Sequence, residues 1–232
     1  MKRRDFLGTC AVLSGAGVQS LKDAWADVPP RLYRRTQLID IHGDPVQARR
    51  LASETNYVFH YPFESTPCFL LKLPRSAAAA ASLVRDDGQR YAWSGGVGAD
   101  RSVVAFSAIC AHKLAYPTRE VSFIRYQKDR SATSSGAVIH CCADHSVYDP
   151  LQGARVVSGP ATQPLAAILL EHDPATDGLA ATGTIGAEQF DAFFRKYEMK
   201  LGLEYGGKAR LPVGDKSVVR ELSAYCRTTI QC

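Results

Sequence analysis

The chain has 232 residues, of which 46% are hydrophobic and 22% charged, and this composition suffices for one sizeable core and excludes an intrinsically disordered protein. The formal net charge is +5, and the first 26 residues, with four basic and two acidic side chains, contribute +2 of it. The remaining charge of about +3 is too small to indicate a nucleic-acid partner, and we expect none.

The N-terminus resembles a twin-arginine export signal. Arg3 and Arg4 precede an apolar stretch over 7–18, and Ala24-Trp25-Ala26 has the small-x-small pattern of a cleavage site. An ordinary basic N-terminus is the alternative interpretation of the arginine pair. The apolar stretch is shorter than the roughly 20 residues that span a bilayer. We therefore expect residues 1–26 to be an export signal and the protein to be periplasmic; an uncleaved signal would associate it with the membrane.

The next part of the chain alternates short strand-like runs with turns. Leu38–Ile41, Asn56–Tyr61 and Cys68–Leu73 are each followed by a turn rich in glycine or proline, which is typical of short β-strands. Between them and the next strand-like run, Gln89–Trp93, the alanine run Ala77–Ala81 favours one or two helical turns. The pattern predicts a domain built mostly of β-strands.

Two short groups of cysteine and histidine each follow an apolar run. Cys110-Ala111-His112 closes the run 103–109, and Cys142-Ala143-Asp144-His145 closes the run 137–141. Each group therefore lies where a predicted strand ends, so that two loops can meet over one metal centre. The order Cys-x-His and then Cys-x-x-His differs from a zinc finger, in which both cysteines precede both histidines. It suits a 2Fe–2S centre in which two thiolates hold one iron and two imidazoles the other.

The surrounding residues resemble the Rieske iron–sulfur family. Gly95–Gly98 followed by Val103–Lys113 is similar to the approach to the first ligand box in the small subunit of arsenite oxidase. Tyr148-Asp149 and the loop Ser158–Ala161 resemble the segment after the second box in Rieske proteins generally. The resemblance covers residues 36–185 and implies an all-β fold, a Rieske-type antiparallel β-sandwich with an inserted cluster-binding subdomain.

The resemblance also implies a 2Fe–2S cluster as cofactor. Its metal ligands would be Cys110, His112, Cys142 and His145, and Ser146 and Tyr148 would donate hydrogen bonds to it. The centre would relay single electrons with a redox partner protein, namely a molybdenum oxidase subunit, a cytochrome c or a quinol-oxidising complex. The boxes contain no nucleophile or substrate pocket, so we expect an electron-transfer subunit rather than a stand-alone enzyme.

Three features of the boxes depart from the family pattern, the third being the length of the second box. Many respiratory relatives carry one further cysteine in each box, and these two cysteines form a disulfide that braces the loops. Here Ala115 and Asp144 stand at those positions, so we expect that disulfide to be absent. Leu114 stands where the first box usually has glycine.

The second box allows two alignments, because it is one residue shorter between His145 and Tyr148 than the family pattern. If Tyr148, rather than His145, is aligned with its counterpart in the family pattern, Cys141 falls on the position of the ligating cysteine and His145 is displaced by one residue. We favour Cys142, because the Cys-x-x-His spacing serves a metal directly. Cys141 stays open as the alternative.

The segment from 186 to 232 exceeds what the resemblance explains. Ala187–Leu201 carries aromatic residues at helical spacing, which predicts a helix packed on the β domain, and Val218–Arg227 is predicted as a second helix. We therefore expect a short helical C-terminal extension. Cys226 and Cys232 suggest a local disulfide in an exported protein, with free or intermolecular thiols as alternatives.

Two other functions stay open at this point. A structural zinc site would use the same four ligands. A domain that has lost its cluster would act as a binding module, an alternative that the irregular second box keeps open.

Overall fold

The computed structural model describes residues 28–232, so the predicted export signal lies outside the described residues. The strands are, in chain order, β1 (Arg31–Ile39), β2 (Tyr57–His60), β3 (Pro67–Lys72), β4 (Ala81–Val84), β5 (Arg90–Trp93), β6 (Val103–Ser107), β7 (Val121–Ser122), β8 (Ile124–Gln127), β9 (Val138–Cys141), β10 (Ser146–Asp149), β11 (Arg155–Ser158), β12 (Ala167–Asp173), β13 (Gly178–Ile185), β14 (Lys216–Val218), β15 (Arg220–Glu221) and β16 (Thr228–Thr229). The α-helices are α1 (Phe190–Lys196), α2 (Glu198–Tyr205) and α3 (Leu222–Tyr225). In this part of the chain no helix combines the length and the apolar character needed to cross a bilayer.

The largest sheet has eight strands in the order β14-β1-β13-β12-β6-β3-β2-β15. Its neighbouring strands are antiparallel except for the parallel pair of β1 and β14. Successive side chains of a strand point to opposite faces, and in β3 Phe69 and Leu71 belong to one hydrophobic cluster while Cys68 and Leu70 belong to another. Both faces of the sheet are therefore covered, which explains why β3 is a continuous apolar run.

A second sheet of four strands, in the order β11-β10-β9-β8, holds the second box. Ile124, Tyr126 and Ile139 of this sheet share one buried cluster with Phe69 and Phe106 of the large sheet. Strands β7 to β11 lie in the chain between β6 and β12, which are neighbours in the large sheet. The small sheet is thus an insertion packed on the large one, and the predicted all-β sandwich with an inserted subdomain and a short helical stretch is confirmed.

The aromatic stripe near the C-terminus forms the helices α1 and α2. Phe190, Phe193 and Leu201 are buried in a third cluster together with Ile109 and Tyr116, which flank the first box. The rings of Tyr116 and Phe193 meet edge to face with their centroids 4.9 Å apart. The predicted packing of this helical stripe on the β domain is confirmed, and it supports the first box.

The helical turns predicted for Ala77–Ala81 are wrong. The chain there forms no helix and leads into β4, which begins at Ala81 and pairs with β5. The amide of Ala77 donates to the carbonyl of Arg101, and that of Ala78 to the carbonyl of Leu151. These long-range hydrogen bonds outweigh the local helix propensity of alanine.

The second predicted C-terminal helix, Val218–Arg227, is wrong for most of its length, because only α3 is helical. Strands β14 and β15 instead extend the two edges of the large sheet. Strand β16 pairs in parallel with β7, with Thr228 opposite Val121. The segment 186–232 therefore contributes strands as well as helices.

The expected disulfide between Cys226 and Cys232 is also wrong. Cys232 is bonded to Cys142 across 90 positions of sequence, and Cys226 is a free, buried thiol whose Sγ lies 2.8 Å from the carbonyl oxygen of Thr118. The pairing of β16 with β7 brings Cys232 to the second box, because the amide of Cys142 donates to the carbonyl of Phe123, directly after β7. Tertiary pairing, not sequence proximity, selects the bonded sulfur.

Candidate metal centre

The first loop, residues 110–115, comes after β6 and returns on itself. The amide of Cys110 donates to the carbonyl of Ala115 at 2.8 Å, and the amide of Leu114 donates to the carbonyl of Cys110 at 3.0 Å. Leu114 has φ +58°, a left-handed conformation that favours glycine, and it stands where the Rieske resemblance has glycine. The loop leaves Cys110 buried and the side chain of His112 38% exposed.

The second loop, residues 141–146, closes the hairpin of β9 and β10, in which Cys141 pairs with Ser146. The amides of Asp144 and His145 lie 3.4 and 2.7 Å from the carbonyl oxygen of Cys141, to which they donate. His145 has φ +59°, so this loop also turns through a left-handed residue that is not glycine. In this tight turn the neighbouring residues Asp144 and His145 place their side chains in different groups of donor atoms.

Four side chains from the two loops meet between them. The sulfur atoms of Cys110 and Cys141 and a carboxylate oxygen of Asp144 all lie within 4.8 Å of one another. The Oδ2 atom of Asp144 is 3.4 Å from the Sγ of Cys110 and 2.9 Å from the Nδ1 of His112. Two thiols, one imidazole and one carboxylate form a donor set that suits a transition metal.

The two thiols influence each other's ionisation. The pKa of Cys110 is lowered to about 7, chiefly by a hydrogen bond with Cys141, against the opposing effect of burial. The same hydrogen bond, together with burial, raises the pKa of Cys141. The first proton of the pair is therefore lost easily and the second with difficulty. A metal cation would remove both protons, because thiolates are the ligands.

Asp144 is held firmly at the centre. Its side chain is 2% exposed, and its Oδ1 accepts the amide hydrogen of Ser146 at 2.9 Å. Burial alone would raise the pKa of Asp144, but hydrogen bonds from the Ser146 amide and from the side chains of Cys141, His112 and Cys110 lower it. The group is therefore a buried carboxylate that faces two thiols and an imidazole.

Tyr148, one of the two predicted hydrogen-bond donors, lies directly beside the thiols. Its hydroxyl is fully buried, 3.4 Å from the Sγ of Cys110, and accepts the amide hydrogen of Ala111 at 3.2 Å. Burial is the largest cause of a raised pKa at Tyr148. The hydroxyl therefore stays protonated and can donate to the sulfur.

Ser146, the other predicted donor, is buried and serves the packing of the loops. Its Oγ accepts the amide hydrogen of Ala161 at 3.1 Å. Nearby, a Cβ on Gly159, which has φ +89°, would lie 2.3 Å from the carbonyl oxygen of His145. The Ser158–Ala161 loop thus rests on the second loop so closely that only glycine fits there.

The structure does not make Cys142 available as a ligand, although the sequence favoured it. Its sulfur is bonded to Cys232 and therefore cannot act as a thiolate. The adjacent Cys141, which was the alternative, turns its buried sulfur toward Cys110. The sequence signal that selects it is Tyr148: aligning this tyrosine puts Cys141 on the ligand position.

His145, the fourth predicted ligand, is exposed, and among the described residues its donor atoms do not group with those of Cys110 and Cys141. A ring nitrogen of His145, a ring nitrogen of His140 and the sulfur of Cys232 lie within 4.8 Å of one another. The ring centroids of His140 and His145 are 5.7 Å apart. His140 is fully buried, and neither of its ring nitrogens has a hydrogen-bond partner among residues 28–232. Burial first, and then the charges of His145 and Arg125, lower the pKa of His140. Of the four predicted ligands, the structure thus brings together Cys110 and His112.

A Rieske protein is among the solved structures to which the chain is similar. This is the soluble domain of the Rieske protein II (soxF) from Sulfolobus acidocaldarius, with 28% sequence identity, a TM-score of 0.46, and coverage of 66% of this chain and 78% of that one. No family model matches the chain. The similarity concerns a Rieske protein and not arsenite oxidase, so the finer resemblance to arsenite oxidase stays a prediction.

Proposed function

We propose that this chain holds a 2Fe–2S cluster between its two loops and relays single electrons. The observation that carries the proposal is the meeting of the Cys110 and Cys141 thiols with the carboxylate of Asp144, which in turn contacts the imidazole of His112. Thiolates on one iron and imidazole on the other are the ligands that distinguish Rieske centres from all-cysteine clusters. When bound, such a cluster takes up and releases one electron.

Cys110 and Cys141 would hold the buried iron of the cluster. His112 would hold the other iron, which would lie nearer to solvent. Cys110 and Cys141 have no exposed surface, which keeps water from the thiolates. The side chain of His112 is 38% exposed and marks the edge nearest to solvent. Electron exchange with a partner would therefore take place at the His112 edge, since electron transfer needs close approach.

Tyr148 supports this role through its contact with Cys110. Its protonated hydroxyl, 3.4 Å from the Cys110 sulfur, would donate a hydrogen bond to that thiolate. The backbone amide of Ala111 holds the hydroxyl in place. Hydrogen bonds to ligating sulfurs withdraw negative charge from the metal centre and raise its reduction potential.

Metal content and spectroscopy of the full chain test the proposal. We expect about two iron atoms per chain, visible absorption in the oxidised state and an EPR signal after one-electron reduction, as for other 2Fe–2S proteins. A structural zinc site would give zinc without colour or EPR signal, because zinc is not redox-active. A binding module without a cofactor would contain neither metal. Either of these results would contradict the proposal.

We also propose that the chain is exported to the periplasm by the twin-arginine route. The Arg3-Arg4 motif and the Ala24-Trp25-Ala26 pattern support this, and the disulfide of Cys142 and Cys232 is what an oxidising compartment permits. Replacing Arg3 and Arg4 together by Lys should leave the protein in the cytoplasm, whereas Lys2→Gln, the matched control, should not. Undiminished export of the double variant would contradict this route.

The partner would be a redox protein that docks at the His112 edge, namely a molybdenum oxidase subunit, a cytochrome c or a quinol-oxidising complex. Lys113 beside His112 is exposed and offers a site for a charge change outside the ligand set. Lys113→Glu should slow electron exchange with a co-purified partner while leaving the visible spectrum unchanged. Equal exchange rates would show that the partner docks elsewhere.

A further inference from the structure

We propose that the carboxylate of Asp144, and not an imidazole of the second loop, is the fourth ligand of the metal centre. The inference rests on the proposed cluster and assigns its ligand set. One iron would be held by Cys110 and Cys141, and the other by His112 and Asp144. The centre would thus carry one histidine and one carboxylate in place of two histidines.

The position of the carboxylate is the first support. Its Oδ2 lies 2.9 Å from the Nδ1 of His112 and 3.4 Å from the Sγ of Cys110. Ligand atoms that share one tetrahedral metal at about 2.0–2.3 Å lie about 3–4 Å apart. The spacing of the Asp144 and His112 donors is therefore that of two side chains which face a common ion, and the contact with Cys110 places the carboxylate beside the thiols.

The way in which the carboxylate is held is the second support. Its Oδ1 accepts the Ser146 amide hydrogen within the turn, which leaves Oδ2 directed toward the thiols. The side chain is 2% exposed, and its ion-pair partner among residues 28–232 is His112. A buried carboxylate is costly unless a cation compensates it. An iron between Asp144 and His112 would supply that compensation.

The position of His145 is the third support. Its side chain is exposed, its backbone has φ +59°, and its ring lies against His140 next to Cys232. Bringing this ring to Cys110 would require the turn to be rebuilt, because the His145 amide is bonded to the carbonyl of Cys141 at 2.7 Å. In the same turn Asp144 already faces inward.

A carboxylate ligand has a predictable electronic effect. It adds one negative charge to the centre where a neutral imidazole would add none, and net charge is one of the determinants of the reduction potential of an iron–sulfur cluster. Negative charge stabilises the oxidised irons. Asp144→His should therefore shift the potential upward, and this shift does not depend on any partner protein.

Pulsed EPR of the reduced full chain labelled with 15N only in histidine counts the ligating imidazoles. We expect one coupled histidine nitrogen in the native protein, one in His145→Asn and two in Asp144→His. Asparagine is the matched control at 145, because it tolerates the left-handed conformation and removes the imidazole. Asp144→Ala should lose most of the bound iron, whereas His145→Asn should keep it.

Two coupled nitrogens in the native protein, with one of them lost in His145→Asn, would overturn the inference and leave the proposed cluster intact. Two coupled nitrogens that persist in His145→Asn would also overturn the inference and would indicate that another histidine is the second imidazole ligand. No cluster signal in the native protein would instead overturn the proposed function and this ligand with it. If Asp144→His fails to fold, the native protein and His145→Asn still decide.

Discussion

The two loops that meet at the candidate metal centre reach the same local geometry with different supports. Each turns through a left-handed residue, Leu114 with φ +58° in the first loop and His145 with φ +59° in the second. The first loop rests on the apolar cluster around Phe193, whereas the second is tied by the disulfide between Cys142 and Cys232. One loop therefore depends on packing and the other on a covalent bond, so they should fail under different perturbations.

The largest effect should come from the two adjacent cysteines at the start of the second loop. Cys141→Ser should abolish the visible absorption and the EPR signal of the proposed cluster, because it would remove a thiolate from the buried iron. Cys142→Ser should keep both signals, since this sulfur belongs to the disulfide. Loss of the cluster in Cys142→Ser with retention in Cys141→Ser would reverse the assignment of the two sulfurs.

Removing the support of the first loop should be the next largest effect. Phe193 is fully buried and packs edge to face on Tyr116. Phe193→Ala should destabilise the protein by about 3–5 kcal/mol through the lost burial and the cavity. Thermal unfolding measures this, with Leu203→Ala as a control, because Leu203 is 84% exposed. A similar loss of stability in both variants would contradict the conclusion that the aromatic residues of these helices form a buried core.

Removing the covalent support of the second loop should cost somewhat less. Cys232→Ser should destabilise the protein by about 2–4 kcal/mol, because the disulfide constrains the unfolded chain across a long loop. A reducing agent should destabilise the native protein in the same way and leave Cys232→Ser unaffected. Cys226→Ser, at a free thiol, is the control in which the reducing agent should still act. An equal response of Cys226→Ser and Cys232→Ser would contradict the observed pairing.

The smallest effect distinguishes the two left-handed residues. His145→Gly should stabilise the protein by about 0.5 kcal/mol, since glycine removes the left-handed strain and the exposed ring loses little packing. Leu114→Gly should give no gain, because Leu114 packs against the apolar cluster of the first loop. Paired denaturant titrations resolve the difference. A gain from Leu114→Gly would show that strain, not packing, dominates the first loop.

Sequence alone was sufficient for the β architecture and for the two loops that form the candidate centre. The apolar runs bounded by glycine and proline predicted the strands, and the groups after 109 and 141 marked the loop positions at their ends. Composition and spacing suffice there, because strands and turns have local signatures. The aromatic stripe likewise predicted the helix that packs beside Ile109.

The details of the second loop could not be read from local sequence. Cys141 and Cys142 are neighbours of the same type, and a shift of one residue reverses the direction of a side chain. The ladder of β9 and β10, with Cys141 opposite Ser146, decides which sulfur points inward. The partner of Cys142 lies 90 positions away and depends on the pairing of β16 with β7. Cysteine spacing does not specify such a connection.

If the chain holds the proposed cluster, the adjacency of Cys141 and Cys142 also implies an order of maturation. The sulfur atoms of Cys110 and Cys141 lie within 4.8 Å of each other, so oxidation of the bare protein could join them in a second disulfide beside that of Cys142 and Cys232 and block the candidate metal centre until it is reduced. Iron bound to Cys110 and Cys141, as proposed, would protect both thiolates and leave Cys142 and Cys232 as the pair to be oxidised. We therefore expect reconstitution to succeed when iron and sulfide are added before an oxidant, and to fail when the oxidant comes first.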